Sequence, residues 1–174
     1  MELLDAIYER RSIRRFTDEP IGRDALEKLL DAARWAPNGG NRNAWRFVVV
    51  TSEAQKNLVL SFAPGIGEMP AAIVAVCMEA KKVSISEPVR LLNMADAAIA
   101  AQNICLAAHG LGLGSYMVAS FAGAALKPVL ELPDVVQPYL LVCLGHPDES
   151  PEPPPRRPIE EIAFVDQYGQ DWGS

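Results

Sequence analysis

RRSIRRF, residues 10–16, sets four arginines within six positions of a chain whose formal net charge is −6. The segment follows a short amphipathic run, LLDAIY at residues 3–8, so it lies where a first helix ends. Arginine presents a planar fork of N–H donors that matches a phosphate, and it stays charged at any working pH. Ser12 adds a hydroxyl, while Ile13 and Phe16 are able to pack. This interleaved cluster favours an anion-binding site over a solvated basic face.

Size and composition indicate one globular domain spanning residues 1–174. Hydrophobic residues make up 49% of the chain and charged residues 22%, which is enough apolar material for a core without disulfides. A pI of about 4.9 argues against general nucleic-acid binding, which depends on a broad basic field. The first residues lack the basic and apolar regions of a signal peptide. Polar side chains interrupt the apolar segment 95–113, so we expect a buried helix there and no membrane span.

The number and spacing of the cysteines and histidines limit the kinds of site that the chain is expected to contain. Cys77, Cys105 and Cys143 each lie inside an apolar run and form no CxxC pair, which predicts buried, reduced thiols in a cytoplasmic protein. His109 and His146 are the only histidines, and two separated histidines do not suggest a metal centre.

Apolar periodicity, turn residues and prolines divide the chain into helices and strands. A first helix is predicted from residue 3 to residue 10 or 11. Further helices are predicted at residues 24–36, 52–62, 91–113 and 122–130, with one helical turn at 159–162. Strands are predicted at residues 45–51, 71–78, 115–118 and 139–145, and the unbroken apolar run at 71–78 is typical of a central strand covered on both faces. Six prolines within residues 147–158 predict that the C-terminal segment 147–174 begins as an extended, stiff stretch.

Four motifs in order along the chain resemble the flavin-dependent nitroreductase family. The Arg-Arg-Ser-x-Arg-x-Phe motif matches residues 10–16, and a Gly/Asn loop between Ala-Pro and Trp-x-Phe matches residues 36–47. A long Ala-rich helix running into Gly-Leu-Gly-Ser matches residues 96–115. Gly-His-Pro, followed by a proline-rich run with paired arginines, matches residues 145–158. The sequence departs from the family pattern at Asn38, Asn43 and Ala44, where Ser, Gln and Pro are usual.

The resemblance implies an α+β fold in which helices pack a mixed, largely antiparallel sheet, and an intertwined homodimer with a flavin at the subunit interface. It implies that FMN is bound without a covalent link and that its phosphate is held by Arg10, Ser12 and Arg14. Arg11 would support the polar edge of the ring. We expect Arg15 to lie in solvent or in a salt bridge.

The remaining implied contacts come from two loops and from the C-terminal segment. The first loop would lie against the flavin of the other subunit through Pro37, Asn38, Gly39 and Asn41, where glycine permits close backbone approach to a flat ring. The backbone N–H of Ala119 would donate to flavin N5, with Ser120 near the neighbouring carbonyl. Arg156 would complete the phosphate site, and Arg157 is the competing choice.

The function implied by the resemblance is an FMN-dependent oxidoreductase that passes hydride from NADH or NADPH through flavin N5 to a small electron-poor acceptor such as a nitroaromatic or a quinone. No side-chain nucleophile or acid–base pair is needed, because the flavin supplies the reactive group. Three alternatives stay open: a relative that uses reduced flavin for fragmentation or dehalogenation, a flavin-binding redox sensor, and an anion-binding module without flavin. Buried polar residues of the long helix, Asp96, Gln102 and Asn103, require hydrogen-bond partners, which makes them structural or interface residues.

Overall fold

A computed structural model describes residues 2–81 and 85–172. The helices are α1 (Leu3–Glu9), α2 (Arg23–Arg34), α3 (Glu53–Leu60), α4 (Glu87–Gly110) and α5 (Gly123–Val129), and short 3₁₀ turns lie at Gly39–Asn41 and Ile159–Glu161. The strands are β1 (Trp45–Val50), β2 (Ala72–Glu79), β3 (Gly114–Val118) and β4 (Val136–Gly145). The predicted α+β class is confirmed, and every predicted helix and strand is present with shifted ends.

The four strands form one antiparallel sheet in the order β1-β2-β4-β3. Strand β2 lies inside this order, and its residues from Ala72 to Met78 are all buried, as its continuous apolar run predicts. An isolated parallel bridge between Ser12 and Ser115 adds the arginine segment to the outer edge of β3. The four-stranded sheet is antiparallel, and the arginine segment joins its edge through this single parallel bridge.

Helix α4 is the central helix of the fold, because it packs against α2 and against three of the strands. Its buried face is made largely of alanine, which lets neighbouring elements approach closely. Length and composition alone would also suit a membrane span, but here the helix is part of the core of the fold. The helix begins at Glu87 and not at residue 91 as predicted. Pro88 does not prevent this earlier start, because proline is well tolerated in the first turn of a helix.

Two other sequence expectations require correction. Strand β4 begins at Val136, three residues earlier than predicted, and Pro138 is accommodated where the pairing with β2 shifts register. The apolar face of α1 does not enter the core of this chain: Leu3 and Tyr8 are each 69% exposed, and only Ala6 of the helix is buried. Periodicity identified the helix correctly but not what covers its apolar face.

The three cysteines are free and buried, as expected. Burial raises the pKa of the Cys77 thiol and that of the Cys143 thiol to about 12. Trp45 is buried in the core, and Phe47 packs against the same cluster. The proline-rich part of the C-terminal segment, residues 151–158, is exposed throughout.

Candidate cofactor site

The arginine segment is fixed to the sheet by Ile13. Its backbone N–H donates to the carbonyl of Ser115 at 3.1 Å, and its side chain is buried. Close approach requires Gly114 on β3, because a Cβ there would lie 2.8 Å from Ile13. In extended backbone, side chains alternate between two sides. Since the Ile13 side chain is buried, Ser12 and Arg14 lie on the opposite side of the segment, where Ser12 is half-buried and Arg14 is exposed.

Phe16 anchors the other end of the segment. Its ring lies directly over Gly145, where a Cβ would come within 2.6 Å of the ring. The backbone pairs with the end of β4 through a Phe16–Pro147 bridge and through the Thr17 N–H, which donates to the His146 carbonyl at 2.9 Å. Residues 13–17 are thus held between β3 and the chain that leaves β4.

Glu149 is the carboxylate that forms an ion pair with the arginine segment. Its carboxylate accepts from the backbone N–H groups of Arg14 and Arg15, and it forms a 3.8 Å ion pair with the Arg15 side chain. These contacts, the Arg14 N–H above all, hold the pKa of the Glu149 carboxyl below its ordinary value. Arg15 is the salt-bridged member of the cluster, in agreement with one of its two expected roles.

Within residues 2–81 and 85–172, no carboxylate forms an ion pair with Arg10, Arg11 or Arg14. The Arg14 guanidinium lies 5.6 Å from the centre of the Tyr116 ring and makes one long side-chain hydrogen bond, to the Ser12 carbonyl at 3.4 Å. Its charge and most of its donors remain available. An anion placed here would receive charge-assisted hydrogen bonds without displacing an existing partner.

A cavity of about 380 Å³ lies behind the segment, between the end of α1, the end of α4 and the chain after β4. Arg10, Arg11, His109 and Ser115 are among its lining residues. In the described part of the chain, the Arg11 Nε and the His109 Nε2 are buried there without a hydrogen-bond partner. Glu9 Oε2 lies 4.0 Å from His109 Nε2, and Glu9 and Glu149 also line the cavity. Ser12 and Arg14 are not among its lining residues, so the phosphate contacts that the resemblance implies for them lie outside this cavity.

Arg11 itself bends back onto α1. Its Nη1 donates to the carbonyl of Tyr8 at 2.6 Å and to that of Arg10, so it satisfies carbonyl groups at the helix end. The resemblance assigned Arg11 to the polar edge of the ring. In the single chain it lies beside the cavity, behind the row formed by Ser12 and Arg14.

The loop between α2 and β1 forms a second, separate candidate surface. After Pro37 the chain makes the Gly39–Asn41 turn, in which Gly40 and Asn41 adopt φ values of +62° and +49°. Asn38 stabilises this turn, because its Oδ1 accepts from the Asn43 N–H at 3.0 Å. Gly39 lies on Leu92 so closely that a Cβ would come within 2.6 Å of that side chain.

The arginine segment and this loop lie near opposite ends of α4. Gly39 contacts Leu92 near the start of the helix, whereas the arginine cavity is lined by His109 near its end. At a rise of about 1.5 Å per residue, these two positions are separated by roughly 25 Å along the axis. The sequence-predicted residues of one chain are therefore brought together in two groups and not in one.

The other predicted residues lie outside both groups. Ala119 and Ser120 directly follow β3 and are exposed, and the Ser120 carbonyl accepts from the Gly65 N–H at 3.4 Å. Arg156 is exposed in the proline-rich segment, and its side-chain hydrogen bond among the described residues goes to the neighbouring Pro155 carbonyl. Among residues 2–81 and 85–172, no hydrogen bond or ion pair joins Arg156 to Arg10, Ser12 or Arg14.

The model of the nitroreductase family matches residues 7–80 and 59–146 of this chain. The chain belongs to the nitroreductase family.

Similar proteins agree with this assignment. A protein of Archaeoglobus fulgidus, named as a candidate NADH dehydrogenase/NAD(P)H nitroreductase, is 34% identical over 157 residues, which cover 86% of this chain and 87% of that protein. The structure of nitroreductase A from Vibrio parahaemolyticus is similar with a TM-score of 0.89 and 28% identity, over 97% of this chain and 77% of that chain. The NADPH:FMN oxidoreductase of Vibrio harveyi, solved with NAD⁺, gives a TM-score of 0.89 and 27% identity, over 97% and 78% of the chains.

Sequence reasoning missed two residues that shape the candidate site of this nitroreductase. Glu149 follows the Gly-His-Pro motif and fixes the arginine backbone, but an acidic residue in a proline-rich stretch gives no sign of that role. Arg42 lies inside the glycine–asparagine loop and pairs with Asp96 at 3.0 Å. Its signal was indirect, because a buried aspartate on α4 requires a cationic or N–H partner.

Proposed function

We propose that this nitroreductase is an FMN-dependent oxidoreductase that takes hydride from NADH or NADPH and delivers it to a small electron-poor acceptor, such as a nitroaromatic or a quinone. The observation that carries the proposal is the arginine segment: an acidic chain fixes Arg10, Ser12 and Arg14 at the edge of its sheet and leaves both guanidinium groups without an ion-pair partner among the described residues. Family membership and the relatives named above support the same activity.

The phosphate of FMN fits the donors of this segment. Two guanidinium groups and the Ser12 hydroxyl supply charge-assisted hydrogen bonds at about 1.5–3 kcal/mol each, which offsets a substantial part of the entropy lost on binding. Arg156 or Arg157 would add a further charge if the C-terminal segment reaches the site. Bound FMN supplies hydride acceptance and donation at N5, the chemistry that no side chain of this protein provides.

The rest of the proposed site consists of backbone groups and small residues. Ala119 is exposed directly after β3; its backbone N–H would donate to the flavin ring, and Ser120 would lie near the adjoining carbonyl. Pro37, Asn38, Gly39 and Asn41 would cover the ring from the other subunit and exclude water from it. Gly39 packs closely on Leu92 of α4 and carries no side chain, which suits the close approach of a flat ligand.

A homodimer is part of the proposal, since one chain holds its two groups of site residues roughly 25 Å apart along α4. Two further surfaces support it. The apolar face of α1 is exposed at Leu3, Leu4 and Tyr8, and the proline-rich segment 151–158 lies outside the core of its own chain. A second copy would cover both surfaces and would bring the loop of one chain to the arginine segment of the other. The buried free thiols suit a reducing, cytoplasmic location.

A visible spectrum followed by steady-state kinetics tests the proposal. The purified protein is expected to be yellow, with about one FMN per chain, and to oxidise NADH or NADPH in the presence of a nitroaromatic or quinone. A colourless protein that takes up no added FMN would overturn the flavin assignment and leave an anion-binding module. A yellow protein without turnover would instead point to a redox sensor or to another use of reduced flavin.

A further inference from the structure

A buried carboxylate on α4 fixes the loop that follows Pro37. Asp96 is 2% exposed, and its Oδ1 accepts from the backbone N–H of Gly39 at 3.0 Å. Its Oδ2 accepts from Nη2 of Arg42 at 3.0 Å. One side chain therefore binds the loop at its start and at its end.

Arg42 closes the same network from the loop side. Its Nε donates to the Gly39 carbonyl at 3.1 Å, and its Nη2 also donates to the Asn93 Oδ1 at 3.1 Å. Both the N–H and the C=O of Gly39 are thus held, one by Asp96 and one by its ion-pair partner. The main-chain carbonyl of Asp96 further accepts from Trp45 Nε1 at 3.1 Å, which ties β1 to the same turn of the helix.

The loop would not keep its conformation without the hydrogen bonds of this network. Gly40 and Asn41 both have positive φ, and for Asn41 this costs free energy that surrounding contacts must offset. The exposed loop has few apolar anchors besides the contact of Gly39 with Leu92. Its orientation therefore depends on the Asp96–Arg42 pair more than on packing.

We propose that Asp96 is a positioning residue for the cofactor: it holds the Gly39 loop in the orientation in which that loop covers the flavin bound to the arginine segment of the partner subunit. The inference rests on the proposed function, because it takes FMN as the ligand. Asp96 touches neither flavin nor substrate in this scheme. It acts through Gly39 and Arg42 and leaves the backbone of the loop to make the contact.

Asn103 provides a matched control on the same helix. It also uses a polar side chain to hold a neighbouring element, since its Nδ2 donates to the Ala32 carbonyl of α2 at 3.0 Å. Among the described residues, its side chain forms no hydrogen bond with the loop. Asn103→Ala therefore removes one hydrogen bond between α4 and a neighbouring element, and it reports what the loss of one α4 tether does to the fold alone.

Three variants separate positioning from stability. Asp96→Ala is expected to raise the Kd for FMN about tenfold or more, with a smaller rise for Asp96→Asn, whose Oδ1 still accepts from Gly39. At saturating FMN, Asp96→Ala should also change the visible circular dichroism of the bound flavin. Asn103→Ala should leave both the Kd and this spectrum unchanged. Equal behaviour of Asp96→Ala and Asn103→Ala in both measurements would overturn the proposal.

Subunit mixing tests the transfer across the interface. A heterodimer is prepared from one Arg14→Ala chain and one differently tagged Asp96→Ala chain. If the loop of each chain serves the partner's flavin, one site carries both defects and the other carries none. About half a flavin per chain should then bind with wild-type affinity. A heterodimer that has no wild-type-affinity site would overturn the proposal, because it would place both residues at the same site of one chain.

These experiments distinguish failure of the proposed function from failure of the inference about Asp96. A wild-type protein that does not bind FMN at all overturns the proposed function and this inference with it. Wild-type FMN binding combined with unaltered FMN affinity and flavin spectrum in Asp96→Ala and Asp96→Asn overturns the inference alone. Melting temperatures of the wild type and the three variants show whether each protein is folded at the assay temperature. If Asp96→Ala does not fold, Asp96→Asn replaces it in the binding and spectral measurements.

Discussion

Replacing Arg14 by alanine should weaken FMN binding far more than riboflavin binding, because the two ligands differ by the phosphate. Arg14 is exposed, forms no ion pair among the described residues and makes one 3.4 Å side-chain hydrogen bond, to Ser12. Little internal structure is therefore lost with it. A charge-assisted contact to phosphate is worth about 1.5–3 kcal/mol, which corresponds to roughly a ten- to hundredfold rise in the FMN Kd.

The assay is titration of apoprotein with each ligand, followed through the change in flavin fluorescence. Arg15→Ala is the matched control: it removes the neighbouring arginine, whose side chain is already engaged by Glu149 and by the Asp148 carbonyl at 3.0 Å. Its FMN affinity should stay close to wild type. Added salt should reduce FMN affinity in the wild-type protein more than in Arg14→Ala. Equal losses of FMN and riboflavin affinity in Arg14→Ala would refute the phosphate assignment.

Two further predictions concern the dimer and the acid stability. Leu4→Glu on the exposed face of α1 should shift the protein from dimer to monomer in analytical ultracentrifugation and should weaken FMN binding. A variant that stays dimeric and keeps its FMN affinity would contradict that interface. Glu149 has a lowered pKa in the folded state, so its contribution to stability is full above its unfolded pKa near 4.5 and is lost as pH falls through the folded value. Thermal unfolding of Glu149→Gln should therefore show a weaker dependence on pH below about 4.5, and an unchanged slope would show that Arg14 and Arg15 do not bind this carboxylate in solution.

The parts of the fold that followed from sequence are those set by local chemistry within one chain. The apolar run at residues 71–78 defined β2, because a strand covered on both faces needs no polar alternation. Pro37 correctly marked the end of α2 to within three residues. The start of α4 was missed because its first turn is polar, and periodicity is weak until the helix enters the core.

The apolar face of α1 shows a different limit. Leu3, Leu4, Ile7 and Tyr8 have the spacing of a buried face, yet each is exposed in the single chain. The spacing of apolar residues identifies an apolar helix face. It does not tell whether that face packs against the core of the same chain or against a second copy of the chain. The Asp96–Arg42 pair was missed for a related reason, because the two residues are far apart in sequence and only the packing of the loop on α4 brings their charges within 3.0 Å.

The length of α4 links the fold to the proposed chemistry. The helix holds the Gly39 loop near its start and borders the arginine cavity near its end, so a rigid spacer of roughly 25 Å keeps the two groups of one chain from meeting. A ligand contacted by both groups then requires two chains. Loss of the dimer would remove the loop from each flavin while leaving the phosphate contacts of Arg10, Ser12 and Arg14 in place. We therefore expect a monomeric variant to retain preference for FMN over riboflavin but to bind both more weakly, a pattern opposite to that of Arg14→Ala.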